Sequence, residues 1–388
     1  MFSIPYFVIF FSLFTNFFLQ YEDKYLRKIG ILFSFVILFV FIGFRGFVST
    51  DWMNYYPYFD SLNIDQELSY DYLHKSGWEI ATPALMFFFK KLHINYFGFC
   101  LISAFIDLIV ITKIFKKYSN DIYLSYLFFF IFAGWEIEFN LLRCSKAILL
   151  FLLSIEYIDS CWWKYILLNV VGFFFHVTAL FYVIFFLLYK TKILENKKIV
   201  LIIWLLGLLL YLLKKSFSEI ILLSIVDYLP DRIRWLVRKY TELNMKKTSY
   251  GFGFGFIERF FSFLVFICFQ NRLCKDKRLI VFYDLGYIYF LSYFYLCDID
   301  VFVRRLSVMT AMSYWIIFPN IYKVLRGKKK KYIFIVIFIM YSLLKIYAIF
   351  GNDKSLKYET WLVTEPDYNY RYSNYIDKSK LGLSGVIK

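Results

Sequence analysis

Polar surface is what this 388-residue chain lacks most. Charged residues make up only 19% of it, while 61% is hydrophobic, 24% is aromatic and the mean hydropathy is +0.59. A water-soluble protein of this length needs far more polar residues to cover itself. Histidine is scarce, with three in the chain. The six cysteines (Cys100, Cys144, Cys161, Cys268, Cys274 and Cys297) never fall in C-x-x-C spacing, so they propose neither a metal centre nor a disulfide framework. No acidic pair has metal-ligand spacing. "GFGFGF" (251–256) lacks the strand–turn–helix setting and the following Gly-Lys of a phosphate loop. No repeat of domain length occurs, and no segment is polar enough to form a soluble domain of its own. Acidic residues are outnumbered, 29 against 45 Lys and Arg. In a soluble protein that excess would suggest nucleic acid; in an apolar chain it reflects basic cytoplasmic loops.

What is present is a series of apolar runs, among them "ILFSFVILFVFIGF" (31–44), "IVLIIWLLGLLLYLL" (199–213) and "YIFIVIFIMYSLLKIYAIF" (332–350). These are long enough to cross a bilayer, or nearly so where protein shields them. The expected fold is an all-α polytopic integral membrane protein with about 10–12 spans, some short or broken. The first run has no basic leader or small-residue cleavage site, so it reads as a retained span. Spans are expected at about 3–20, 30–44, 95–112, 121–134, 144–158, 199–213, 256–270, 280–296, 303–321 and 332–350. Basic, compact loops at 21–28, 113–121, 190–198, 271–278 and 323–331 belong in the cytoplasm. The other side then receives loops 45–93 and 214–255, short stretches around 134–143 and 297–302, and the tail 351–388. Residues 1–350 form the transmembrane domain on this reading, with both termini outside.

Two places call for irregular elements. "ALMFFFKKL" (84–92) reads as an amphipathic helix at the outer interface. "KYILLNVVGFFFHVTALFYVIFFLLYK" (164–190) has basic residues at both ends, so a single span would break the charge pattern. Two short helices meeting near His176 resolve the conflict, provided protein or a watery cavity surrounds the break.

Ionisable residues at membrane depth are costly and usually functional. Here Arg45, Asp51, Glu79, Glu136, Glu138, Asn140, Arg143, His176, Arg259, Arg304 and Arg305 all fall near the outer end of an expected span. Each has an ordinary reading: Arg45 and Arg143 as headgroup anchors, Asp51 and Tyr55 as loop residues, His176 as a packed core residue. Arg304 and Arg305 are adjacent, so about 100° separates them on a helix and they cannot face one cavity equally. Taken together, the arginines suit a phosphate or diphosphate, which guanidinium grips bidentately. Aromatic residues at the same level, such as Trp52, Tyr55, Tyr56 and Trp78, suit sugar rings.

"FRGFVSTDWMNYYPYF" (44–59) resembles the R-x(5)-D-x(3)-Y segment of EpsG-like proteins, the Wzy-type polysaccharide polymerases. "FNLLRCSKAILLFLLSIEY" and the following "FFHVTA" resemble the family's N-x-x-R-Q and FH-x-[ST]-A block, with Cys144 standing where Gln is common. "RRLSVMTAMSYWIIFPNI" (304–321) is similar to its third signature. The resemblance implies a GT-C-like glycosyltransferase of the bacterial cytoplasmic membrane with its site facing outward. Its donor and acceptor would be undecaprenyl-diphosphate-linked oligosaccharide repeats, joined into capsule, O-antigen or exopolysaccharide. Membrane lipid, a flippase and a chain-length regulator are the implied partners; nucleic acid, metal and cofactor are not. It carries substrate binding to Arg45, Tyr55, Asn140, Arg143 and Arg304 or Arg305, and leaves the general base among Glu79, His176 and Asp51. A membrane-bound O-acyltransferase also uses a lone intramembrane histidine but does not need outer-face arginines. A flippase would spread its polar groups along a path, and an O-antigen ligase differs only in acceptor.

Overall fold

Phe-, Ile- and Leu-rich runs whose backbone must satisfy itself in lipid have one common solution, the helix. In a computed structural model the chain is 80% helical. The structure describes residues 2–19, 24–66, 76–214, 250–297 and 300–375, with a few positions at 69–73 and 224–238. Among the described residues no β-strand occurs beyond a single bridge, Arg45 to Thr360. Among the described residues, five helical segments are long and apolar enough to cross a membrane: Tyr96–Tyr118, Ile122–Asn140, Phe254–Leu273, Lys277–Leu296 and Lys328–Phe350. Leu32, Ile106, Ile202, Phe261 and Ile337 on various helices stay largely exposed, as side chains facing lipid tails do. The chain is an all-α polytopic membrane protein.

It divides into two compact units, one of residues 1–186 and 322–388, the other of residues 187–321. In the first unit, α1 (Ile4–Leu19) and α2 (Lys24–Gly43) are followed by two helices outside the expected spans, α3 (Trp52–Ser61) and α4 (Ala81–Lys91). The amphipathic helix expected at 84–92 is α4; it buries Met86 and Phe87 and exposes Phe88. Next come α5 (Tyr96–Tyr118) and α6 (Ile122–Asn140). The latter bends at Phe132 and Ala133, whose torsions leave the helical region, Ala133 at φ 65°. The stretch around 134–143, expected as a loop, is therefore helical up to Asn140. Only Leu141 (φ −132°) breaks the path before α7 (Leu142–Ser154).

The segment 164–190 is two helices, α8 (Trp162–Phe175) and α9 (Ala179–Thr191), separated by an extended His176 (φ −159°, ψ 134°). Gly172 explains how α8 packs so closely. A Cβ there would lie 3.3 Å from the Ala179 Cβ and 3.5 Å from the Ala147 backbone. Small residues are what allow helix backbones to approach in a bilayer.

The second unit contains α10 (Lys197–Leu212), α11 (Phe254–Leu273), α12 (Ile280–Leu296) and α13 (Asp300–Thr310). Trp204 stacks on Phe263 at 4.3 Å, and Phe266 packs edge-on against Phe290 at 5.0 Å. The span expected at 303–321 is interrupted at Ala311, beyond which α14 (Met312–Val324) carries the chain back to the first unit. Most of loop 214–255 lies outside the described residues.

α15 (Lys328–Phe350) ends next to the start of the chain, with Phe350 stacked on Tyr6 at 3.6 Å. The tail then folds back over residues 44–49. Gly46 N donates to the Glu359 carbonyl and Trp361 N to the Phe44 carbonyl. A short helix, α16 (Tyr368–Tyr375), delivers the buried Arg371 to the Ser355 and Lys357 carbonyls and, at 3.4 Å, to Glu359.

Candidate functional site

Five separated stretches of the first unit meet at one level: 45–55, 78–79, 138–143, 176–178 and 355–361. Each arrives at the end of a helix or in the turn beyond it, because only there can backbone leave the membrane and carry polar side chains.

Arg143 stands at the centre, in the first turn of α7. Its Nε donates to the Tyr55 hydroxyl at 3.0 Å and its Nη1 pairs with Glu79 Oε2 at 2.5 Å. Its guanidinium lies 5.2 Å from the Trp78 ring and 5.9 Å from that of Tyr55. Guanidinium has five donors. Two are engaged, and the Nη2 edge has no protein partner among the described residues. The side chain remains 17% exposed.

Glu79 does more than pair with Arg143. Its other oxygen accepts from the Val177 backbone N–H at 2.8 Å, which ties the α8–α9 tip to the arginine. One residue away, the His176 ring accepts at Nδ1 from the Thr178 N–H (3.2 Å) and lies 2.8 Å from the Thr178 hydroxyl. With Nδ1 accepting, the proton of a neutral ring sits on Nε2. Thr178 Oγ1 also meets the Cys144 sulfur at 3.4 Å. The cysteine that replaces the usual glutamine thus keeps a polar link between α7 and the tip.

Asn140 and Arg45 act on the backbone. The Asn140 side-chain oxygen accepts from Thr50 N (3.1 Å), Thr50 Oγ1 (2.9 Å) and Asp51 N (3.1 Å), clasping the turn that starts α3. Asp51, partly exposed, is held in place by that clasp. Arg45 is buried, and its two terminal nitrogens donate to the Ile42 and Glu138 carbonyls, each at 2.6 Å. Its guanidinium rests 5.2 Å from the Phe139 ring. Its donors are used on the frame of the site.

Arg304 and Arg305 belong to the second unit, on α13, with Arg304 exposed and Arg305 partly buried. Arg259 of the same unit lies 4.6 Å from both the Tyr289 and Tyr293 rings and donates to Ser307 at 3.1 Å.

Trp78, one of the aromatic residues expected at this level, backs the arginine. Three participants escaped sequence reasoning: Lys146, one turn past Arg143 on α7, pairs with the buried Asp107 of α5, and Ser103 accepts from the ammonium at 2.5 Å. An aspartate in the middle of an otherwise apolar span was the available signal.

The comparisons agree with the motifs. A family model, described as the EpsG family, matches residues 28–362 and so includes every site residue above. No curated protein and no solved structure matches the chain. Residues 28–362 are most of the sequence, and the chain belongs to the EpsG family of polysaccharide polymerases.

Proposed function

We propose that the chain is a glycosyltransferase of the bacterial cytoplasmic membrane that polymerises undecaprenyl-diphosphate-linked oligosaccharide repeats at its outer face. The observation that carries this reading is the unpartnered Nη2 edge of the part-exposed Arg143, among the described residues, beside an aromatic wall and a carboxylate. A diphosphate brings several oxygens that match a guanidinium fork, and partial burial strengthens the pairing. As the glycosidic bond to the donor diphosphate breaks, negative charge grows on the departing oxygens, and a fixed cation stabilises it without reorganisation. Arg304 or Arg305 is assigned to substrate binding by family resemblance.

Glu79 is our choice for the base. In the free protein its Oε2 is occupied by Arg143. An arriving diphosphate carries more negative charge than one carboxylate and competes for that guanidinium, which frees Oε2 to accept the hydroxyl proton of the acceptor sugar. The hydroxyl oxygen then forms its bond to the anomeric carbon as the bond to the diphosphate oxygen breaks. Donor binding would thereby prepare the base, and Val177 N–H would hold the carboxylate in position while it acts. His176, with its proton on Nε2, carries a donor rather than an acceptor on that side of the ring. Asp51, fixed by Asn140, is the second carboxylate at the mouth. Arg45 and Asn140 position the frame. A GT-C-like relationship, an outward-facing 351–388 tail, and cooperation with a flippase and chain-length regulator belong to the same proposal.

Replacing Arg143 by Ala is the test in cells. Folded, membrane-inserted protein should accumulate single lipid-linked repeats and make no long chains. Normal polymer from that variant would overturn the reading.

A further inference from the structure

A cleft of about 690 Å³ opens on the far flank of α3, between that helix, the turn leading into α5 and tail residues 361–366. Its size falls within the roughly 300–1,000 Å³ of small-molecule sites. The helix connects it to the arginine. Tyr55 bonds Arg143, whereas the next residue, Tyr56, lines the cleft. Consecutive residues point about 100° apart, and a helix with its side chains is about 10–12 Å across. A ligand of a few linked rings can reach from one flank to the other.

The lining is specific in character. Trp361, Phe97 and Tyr56 offer aromatic faces, and these are braced from behind: Tyr56 stacks on Tyr368 at 5.6 Å, and Trp361 lies 5.1 Å from Phe44. Asp60 and Glu365 bring carboxylates to the same wall, close enough that together with burial they raise the Tyr56 hydroxyl above its ordinary pKa. Lys90 also lines the cleft, but its ammonium is turned to the Phe59 and Asp60 carbonyls at 3.0 and 2.5 Å. Two carboxylates against that one ammonium leave the charged side chains of the cleft net negative. That repels phosphate and anionic headgroups, while carboxylates accept readily from hydroxyls and rigid aromatic faces pack against the C–H faces of sugar rings.

We propose that this cleft is a second carbohydrate site, which holds a hydroxyl-rich stretch of glycan a few sugars from the diphosphate at Arg143. The identity of that glycan rests on the polymerase reading. Holding the chain here would keep its reactive end near the arginine between additions, as a tethered second contact does.

The test uses full-length protein in nanodiscs and, as probe, phosphate-free oligosaccharide cut from the host's own surface polysaccharide, with binding read by saturation-transfer NMR. Wild type and Arg143→Ala should bind the fragment equally. Trp361→Ala and the double variant Asp60→Asn/Glu365→Gln should each bind at least ten-fold more weakly, while Trp361→Phe, which keeps a flat face, should lose less. Binding that survives both cleft variants, that is lost in Arg143→Ala alone, or that never occurs in wild type overturns the assignment. So does binding that disappears when zwitterionic nanodisc lipid is replaced by anionic lipid, since a headgroup would then be the occupant. Polymer formation in cells keeps the two claims apart. Full-length polymer from Arg143→Ala would sink the polymerase reading whatever the cleft binds. A strict requirement for Arg143 with no cleft-dependent fragment binding would sink only the cleft.

Discussion

Replacing Glu79 by Gln separates a base from a clamp. The amide keeps an oxygen for the Val177 N–H and a neutral contact to Arg143, so the α8–α9 tip stays attached. What disappears is one charge-assisted bond between side chains about one-fifth exposed, 17% for Arg143 and 21% for Glu79. Such a bond contributes about 1.5–3 kcal/mol when shielded, and partial solvent access reduces that to about 1–2 kcal/mol. Folded proteins hold roughly 5–15 kcal/mol in reserve, so the variant should remain folded and melt only a few degrees lower. The rate should fall much further, because a positioned general base contributes about 10²–10⁴-fold. Pyrophosphate binding should persist or tighten, since Arg143 loses its internal competitor. The assay is repeat-by-repeat elongation of lipid-linked oligosaccharide by purified protein in nanodiscs, read by mass spectrometry beside a thermal melt. A Glu79→Gln enzyme elongating at more than a tenth of the wild-type rate would refute this assignment and move the base to Asp51.

His176 should tolerate Gln better than Ala, because a glutamine amide can still donate where Nε2–H points; if both variants lose polymer equally in a cellular chain-length assay, the ring acts as a base instead. Arg45→Ala should deplete folded protein, as it leaves the Ile42 and Glu138 carbonyls without their buried donor at a cost of about 1–3 kcal/mol each. Fluorescence-detected size exclusion checks this, and a monodisperse variant defective only in activity would return Arg45 to the substrate. Single cysteines at 63–66 should label from outside intact cells while those at 327–331 remain protected, because short basic loops resist translocation. The reverse pattern would place the Arg143 site on the cytoplasmic face.

Much of the fold could be read from hydropathy and charge because the bilayer imposes both. The break at His176 was legible for that reason: two basic ends cannot flank a single crossing. The convergence of Arg45, Asn140, Arg143 and His176 was visible as a common level. Their division of labour was not, since Arg45 and Asn140 spend their polar atoms on backbone groups, and backbone has no side-chain signature to search for. Equally hidden was the tail. Arg371 and Glu359 lock onto 46–47 and 355–357 through carbonyls and N–H groups more than 300 residues apart in the chain for Phe47 and Glu359. Helical periodicity also could not reveal the bend at Phe132–Ala133, which arises from packing and has no proline to mark it.

Arg143→Lys tests the central claim most directly, with the elongation rate of purified enzyme on lipid-linked repeats as the readout. Lysine keeps the positive charge but loses the Nε bond to Tyr55 and the two-pronged edge offered to phosphate. Removing one preorganised donor from a site of developing charge costs about 10²–10³-fold in rate, so a folded Lys variant should elongate at about 1% of wild type or less. A Lys enzyme within three-fold of wild type would show that Arg143 supplies only a generic charge, and the diphosphate site would have to lie elsewhere.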